Sequence, residues 1–187
     1  MSQHNRREML RLTVGGTIGL SLGLLSPDSA RARSVEARRE NGVAWYDVKQ
    51  WGVEGRGWND TARYFDRLPA RAEGKVRPAV WNLSRHSAGM CVRFVTNATT
   101  IRVRYSLLSS SLAMPHMPAT GVSGLDLYAQ DETGRWRWAA VFGPTQQQVE
   151  ATLVSGLREG QRAYMVYLPL YNGVENLEIG VAEGSTF

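Results

Sequence analysis

Period-two alternation constrains this chain more than any other feature. Over residues 99–107, Ile101, Val103 and Tyr105 point one way while Arg102, Arg104 and Ser106 point the other. That pattern belongs to a strand with one face on a core and one in water. Further short runs of strand character cover residues 45–51, 78–83, 90–96, 148–154, 161–168 and 175–181. Turn signals separate them: Asn97-Ala98, the Gly-containing stretch 155–160, and Asn172-Gly173. Past the first 32 residues no segment of useful length keeps a helical period. Eight or nine short strands predict an all-β antiparallel fold, a sandwich or a barrel. At 187 residues one domain is expected, with no internal repeats.

Residues 121–138 predict a strand, a tight turn and a second strand. Leu125 and Leu127 alternate with Asp126 and Tyr128, Gly134 suits the positive φ of the turn, and Trp136 and Trp138 share a face. Flanked by such heavy apolar residues, this hairpin is expected at the centre of a sheet with both tryptophans packed. Residues 109–120 hold three serines and two prolines and cannot form a central strand. Residues 52–77 read as a long Gly-, Arg- and Asp-rich loop pinned by Trp58, Tyr64 and Phe65.

The N-terminus has the marks of an export signal. Arg6 and Arg7 form a twin-arginine pair, residues 12–25 are an apolar run of 14, and Ala30-Arg31-Ala32 offers a cleavage site. The run is short of the roughly 20 apolar residues of a membrane span, so contact with a membrane is expected only through an uncleaved signal. Residues 1–32 are read as signal, 33–44 as a mobile linker and 45–187 as the folded domain. The expected location is periplasmic or secreted.

Hydrophobic residues make up 43% of the chain and charged ones 21%, an ordinary globular balance. Setting the signal aside removes four basic and two acidic residues, and the formal charge falls from +5 to +3. The remaining arginines alternate with apolar residues instead of forming a patch, so no nucleic-acid partner is expected. Cys91, the only cysteine, sits in an apolar run and reads as a buried, inert thiol. His86, Cys91 and His116 lack the close-spaced pairing of a metal site, and neither metal nor cofactor is expected.

Gly124, Asp126, Leu127 and Tyr128 lie in a run, Ser123-Gly124-Leu125-Asp126-Leu127-Tyr128, that resembles the Gly-x-Asp-Leu-Tyr signature of the N-terminal domain of bacterial SGNH-type (GDSL-like) esterases. Tyr64-Phe65-Asp66-Arg67-Leu68-Pro69, the stretch from Val80 to Gly89, Met114-Pro115-His116-Met117-Pro118 and Leu168-Pro169-Leu170-Tyr171-Asn172-Gly173 fit the same family in the same order, as does the stretch from Val53 to Trp58. The resemblance implies a jelly-roll-like β-sandwich, with ester hydrolysis carried by a separate C-terminal SGNH domain. This chain is then expected to be the accessory part, present as a truncation or a split reading frame.

The residues agree that no catalytic set is present. A serine hydrolase needs a serine on an exposed turn, a histidine to take its proton and donors for the oxyanion. Ser123 sits in only a superficial copy of a nucleophile elbow, and neither His86 nor His116 has the aspartate three residues upstream that the family's catalytic pair shows. Binding or support remains. Trp58, Tyr64, Arg85, His86, Met114, His116 and Met117 are candidates for a surface facing the esterase domain or walling its cleft. The plainer reading makes them strand-end loops whose imidazoles bond locally. Two other classes stay open: a free-standing carbohydrate-binding module stacking sugars on Trp58, Trp81 or Tyr171, and a weak enzyme of unfamiliar type.

Overall fold

The computed structural model describes residues 35–187; the expected signal, with Arg6 and Arg7, lies outside the described residues. Among the described residues nine strands form two antiparallel sheets. They are β1 (Arg38–Glu40), β2 (Val43–Asp47), β3 (Cys91–Thr96), β4 (Thr100–Leu107), β5 (Leu125–Gln130), β6 (Trp136–Phe142), β7 (Gln148–Ser155), β8 (Arg162–Tyr167) and β9 (Val174–Ala182). One sheet runs β1-β2-β9-β4-β7, the other β3-β8-β5-β6. The all-β expectation holds.

The alternation in the sequence becomes burial. Ile101, Val103 and Tyr105 of β4, Leu177 and Ile179 of β9, Val92 and Phe94 of β3, Leu125 and Leu127 of β5, and Tyr164 and Val166 of β8 meet in one core between the sheets. Cys91 is buried at the start of β3, beside Glu54 and outside that cluster, and burial, aided by the Glu54 carboxylate, pushes its thiol pKa up.

One long seam between the sheets is closed by neighbouring strands, β6 against β7. The other, between β2 and β3, is filled by the 52–77 segment. Phe65 reaches the core at 1% exposure, and Glu54 pairs with Cys91 at the start of β3. Trp51 Nε1 donates to Arg93 O at 2.9 Å and so ties the strap to β3. Phe187 closes the same seam. Its ring stacks on Tyr46 at 3.9 Å and on Phe94 at 5.3 Å, with Trp51 edge-on.

Three expectations need correction. Residues 78–83 are not a strand but part of a helix, α1 (Pro78–Ser84). Pro78 at its first turn presets the helical φ, and Trp81 and Ser84, three apart, face inward. The apolar residues Val80, Trp81 and Leu83 suggest a strand only when that proline is ignored. Residues 38–40 and 43–44, expected in a mobile linker, are β1 and the start of β2. Their charges are paired across strands: Arg38 with Glu178 at 3.0 Å, and Glu40 with Arg104 at 2.7 Å. Finally, the β5–β6 hairpin lies at an edge of its sheet, not its centre. Gly134 does take the positive φ expected of the turn, +80°.

Candidate functional site: the loop junction around Asn172

Four connections meet at one end of the sandwich, and a buried asparagine joins them. Asn172 is 1% exposed. Its Nδ2 donates to Ser109 O at 2.9 Å and to Ser123 Oγ at 3.1 Å, while its Oδ1 accepts from Ser109 N at 3.0 Å and Gly173 N at 2.9 Å. Two donors and two acceptor sites are thus all used, the full capacity of a carboxamide. Its backbone carbonyl accepts from Ser87 N, and Ser87 Oγ accepts from Val174 N at 2.9 Å. Tyr171 N donates to Val122 O, at the end of a short helix, α2 (Ala119–Val122).

Asn172-Gly173 is therefore not the left-handed turn the dipeptide suggests; neither residue has a positive φ. Gly173 is required by contact instead, because a Cβ there would lie 2.4 Å from Arg85 O. Gly124 of the Gly-x-Asp-Leu-Tyr run follows the same logic. A Cβ would stand 2.3 Å from Thr120 O and 2.6 Å from Phe142 O. Close backbone approach, not turn geometry, selects glycine at both places.

The junction holds several of the expected residues in place. Met114 and Met117 exchange backbone hydrogen bonds in a tight loop, and the Met117 side chain packs where a Cβ on Gly121 would be. His116, at the tip, is exposed. Arg85 follows α1; its Nε lies 2.8 Å from Asp66 Oδ2 without an aligned hydrogen bond, and its guanidinium sits 5.0 Å from the Trp81 ring. Asp66 is 2% exposed and also accepts from Arg63 N. His86 is half-buried, and burial, aided by the nearby Arg67 guanidinium, holds its pKa below the ordinary 6.5. Arg67 also donates to the backbone carbonyls of His86 and Leu83.

Arg85 and His86 on one side and Met114, His116 and Met117 on the other are thus carried by loops of one junction. Trp58 and Tyr64 belong to the strap. Trp58 is exposed beneath the Arg71 guanidinium, and Tyr64 lies 3.8 Å below that of Arg56. Sequence reasoning missed Asn172, Ser87 and Ser123 as the side chains that organise the junction. Nothing local betrays them, since apart from Gly173 their partners lie tens of residues away.

Ser123 is fully buried with its Oγ bonded to Asn172, and neither imidazole makes a hydrogen bond among the described residues. Among the described residues no three His, Cys, Asp or Glu side chains are grouped as metal ligands. Of the aromatics considered for sugar stacking, Trp81 is 8% exposed and Trp58 has Arg71 over its ring, so they form no open row with Tyr171. Trp138, expected to be packed, is 58% exposed.

Three apolar side chains at the junction stand in water. Leu83 on the last turn of α1, and Leu170 and Tyr171 beside Asn172, are 53%, 51% and 43% exposed.

Comparison with known proteins gives a consistent picture. The profile of the family GxDLY, the N-terminus of SGNH-hydrolase-type esterases, matches residues 43–187. Among solved structures, a putative GDSL-like lipase from Bacteroides ovatus ATCC 8483 is similar with a TM-score of 0.71 and 26% identity, over 77% of this chain and 42% of the lipase. The chain thus spans less than half the length of that lipase. A salicylyl-acyltransferase, SsfX3, from a tetracycline biosynthetic pathway is more distant, with a TM-score of 0.45 and 16% identity. No curated protein matches.

Proposed function

Because the chain belongs to the GxDLY family, the N-terminus of SGNH-hydrolase-type esterases, we propose that it serves as a non-catalytic accessory domain that packs on an ester-hydrolysing domain and helps shape its cleft. The observation that carries this reading is the junction at Asn172. A fully satisfied buried polar network holds four loops rigid, and over it lie Leu83, Leu170 and Tyr171, apolar side chains left in water. Rigid loops bearing unburied apolar residues suit a domain interface, and clefts favour such junctions. Met114, His116 and Met117 are placed in this reading at the rim of the cleft. The sandwich is of jelly-roll type, and the twin-arginine pair Arg6 and Arg7 directs export to the periplasm or beyond.

The test uses a polypeptide that joins this chain to an SGNH domain. Leu170→Ser with Tyr171→Ser is expected to lower the melting temperature and kcat/KM for a short-chain aryl ester together. His116→Ala is expected to change KM or kcat with little effect on melting. Unchanged hydrolysis and unchanged melting in both variants would remove the interface. Ester turnover by the purified chain alone would remove the non-catalytic reading.

A further inference from the structure

The outer face of the β3-β8-β5-β6 sheet carries a group of side chains that the core does not need. On β5, Leu125 and Leu127 enter the core, so Asp126 and Tyr128 point outward. Strand pairing sets Trp138 and Met165 on either side of Tyr128, and Val141 and Tyr167 on either side of Asp126. The register slips between Leu127 and Tyr128, a local irregularity that turns Trp138 onto this face. Trp138 Nε1 donates to Asp126 Oδ1 at 3.2 Å, which orients the indole, and the side chain is still 58% exposed. Tyr128 and Tyr167 meet edge to face, with centroids 5.7 Å apart. Asp126 Oδ2 accepts no hydrogen bond among the described residues, and no basic side chain there pairs with the carboxylate.

We propose that this face binds the ring of a neutral pyranose, stacked on Trp138 with its hydroxyls on Asp126 Oδ2. A pyranose has an apolar face of C–H groups and a rim of hydroxyl donors. An open indole complements the first. An ionised carboxylate, which can only accept, complements the second. The same rings and carboxylate would attract an ammonium ion. The charge around them argues against that ligand: setting the signal aside, the chain is net +3, and although Arg93 and Arg137 are paired with Glu54 and Asp131, Arg135 at the same hairpin has no carboxylate partner among the described residues. A neutral donor escapes this repulsion. With strands about 4.8 Å apart and an offset of two residues, about 7 Å, along them, the backbones at Trp138 on β6 and Tyr167 on β8 are separated by about 12 Å, room for one or two rings. The perpendicular tyrosines form a corner instead of a flat wall, which suits a short chain or a chain end over a crystalline surface. Asp126 and Tyr167 lie only three and five residues from Ser123 and Asn172 of the junction, but they stand on the outer face of the sheet, and the proposal does not rest on the accessory-domain reading.

The experiment titrates the purified chain with soluble β-linked oligosaccharides of glucose, xylose and N-acetylglucosamine. Calorimetry and the Trp138 indole N–H resonance report binding. The expected result is saturable binding to at least one series with a shift of that resonance. Trp138→Ala should weaken it by about tenfold or more with the melting temperature unchanged, as truncating a stacked Trp does. Trp138→Phe should restore part of the loss, Asp126→Asn should weaken binding, and Tyr171→Ala should leave it unaltered. The proposal is overturned by absence of saturable binding to all three series at millimolar sugar, by binding indifferent to Trp138→Ala, or by choline binding in place of sugar.

Discussion

The Asn172 junction and the Phe187 seam close the same sandwich by opposite physics. At the junction, directed bonds from one carboxamide set the positions of three chain segments, and the backbone carbonyl of the same residue holds a fourth at Ser87. At the seam, the Phe187 ring lies among Tyr46, Trp51 and Phe94 and fills its place by contact, while the hydrogen bonds there, from Thr186 N to Asn97, from Thr96 to Thr186 O and from Trp51 to Arg93, hold the chain beside it. Contact is tolerant of shape, because a different apolar side chain still excludes water. Directed bonding is not, because each lost partner strands a buried donor or acceptor. The rigid end is also the end whose loops carry the candidate interface, and precision is useful where a surface must match another.

The comparison is broken most forcefully at Asn172. Asn172→Ala is expected to cost about 2–4 kcal/mol, measured by urea unfolding, since it leaves several polar groups unpaired at once. Asn172→Asp should still destabilise clearly, because the lost NH2 donated two bonds and a charge takes its place in a site 1% exposed. An Asn172→Asp variant as stable as the parent would show that the junction is held by packing. The seam should respond less. Phe187→Ala is expected to cost about 1–2 kcal/mol, below a full core truncation because the ring is only half-buried, while Phe187→Leu keeps most of that stability.

The smallest effect expected is a pH dependence at His86. Its pKa is depressed in the folded state by burial and Arg67, so the unfolded chain binds a proton first as pH falls. The stability tied to the neutral imidazole is full above the ordinary value of 6.5 and is lost as pH falls through the lower folded-state value. Unfolding measured at pH 7.5 and 5.5 should show a decline that His86→Gln flattens. An unchanged decline in that variant would assign it to other groups.

The strands with one face on the core were legible residue by residue. Ile101, Val103 and Tyr105 alternate with Arg102 and Arg104, and the burial of β4 follows that alternation. Where the pattern misled, a nonlocal or stereochemical term had overridden it. The charges of Arg38 and Glu40 suggested a solvated linker, but Glu178 and Arg104, far along the chain, neutralise them in a ladder. Trp136 and Trp138 suggested a packed strand, but β6 has a neighbour on one side only, and a slipped register turns Trp138 to solvent. Of the candidate site residues, Arg85 and His86 were singled out as part of a polar cluster, and Met114, His116 and Met117 as a stiff, proline-bounded loop around an imidazole. That they belong to one junction was not legible.

By itself the sequence determined the secondary-structure class and the family, its resemblance read over residues 45–187 where the family profile matches 43–187. Those are consequences of local chemistry: periodicity, turn residues and short motifs. Only the tertiary structure decided that Asn172 is a junction and not a turn, that Gly124 and Gly173 serve close backbone approach, and that Asp126 stands beside an open indole. Each of these depends on atoms brought together from distant parts of the chain. The hydrogen bond from Asn172 to Ser109, for one, spans 63 residues, and no local pattern encodes where such a partner will lie.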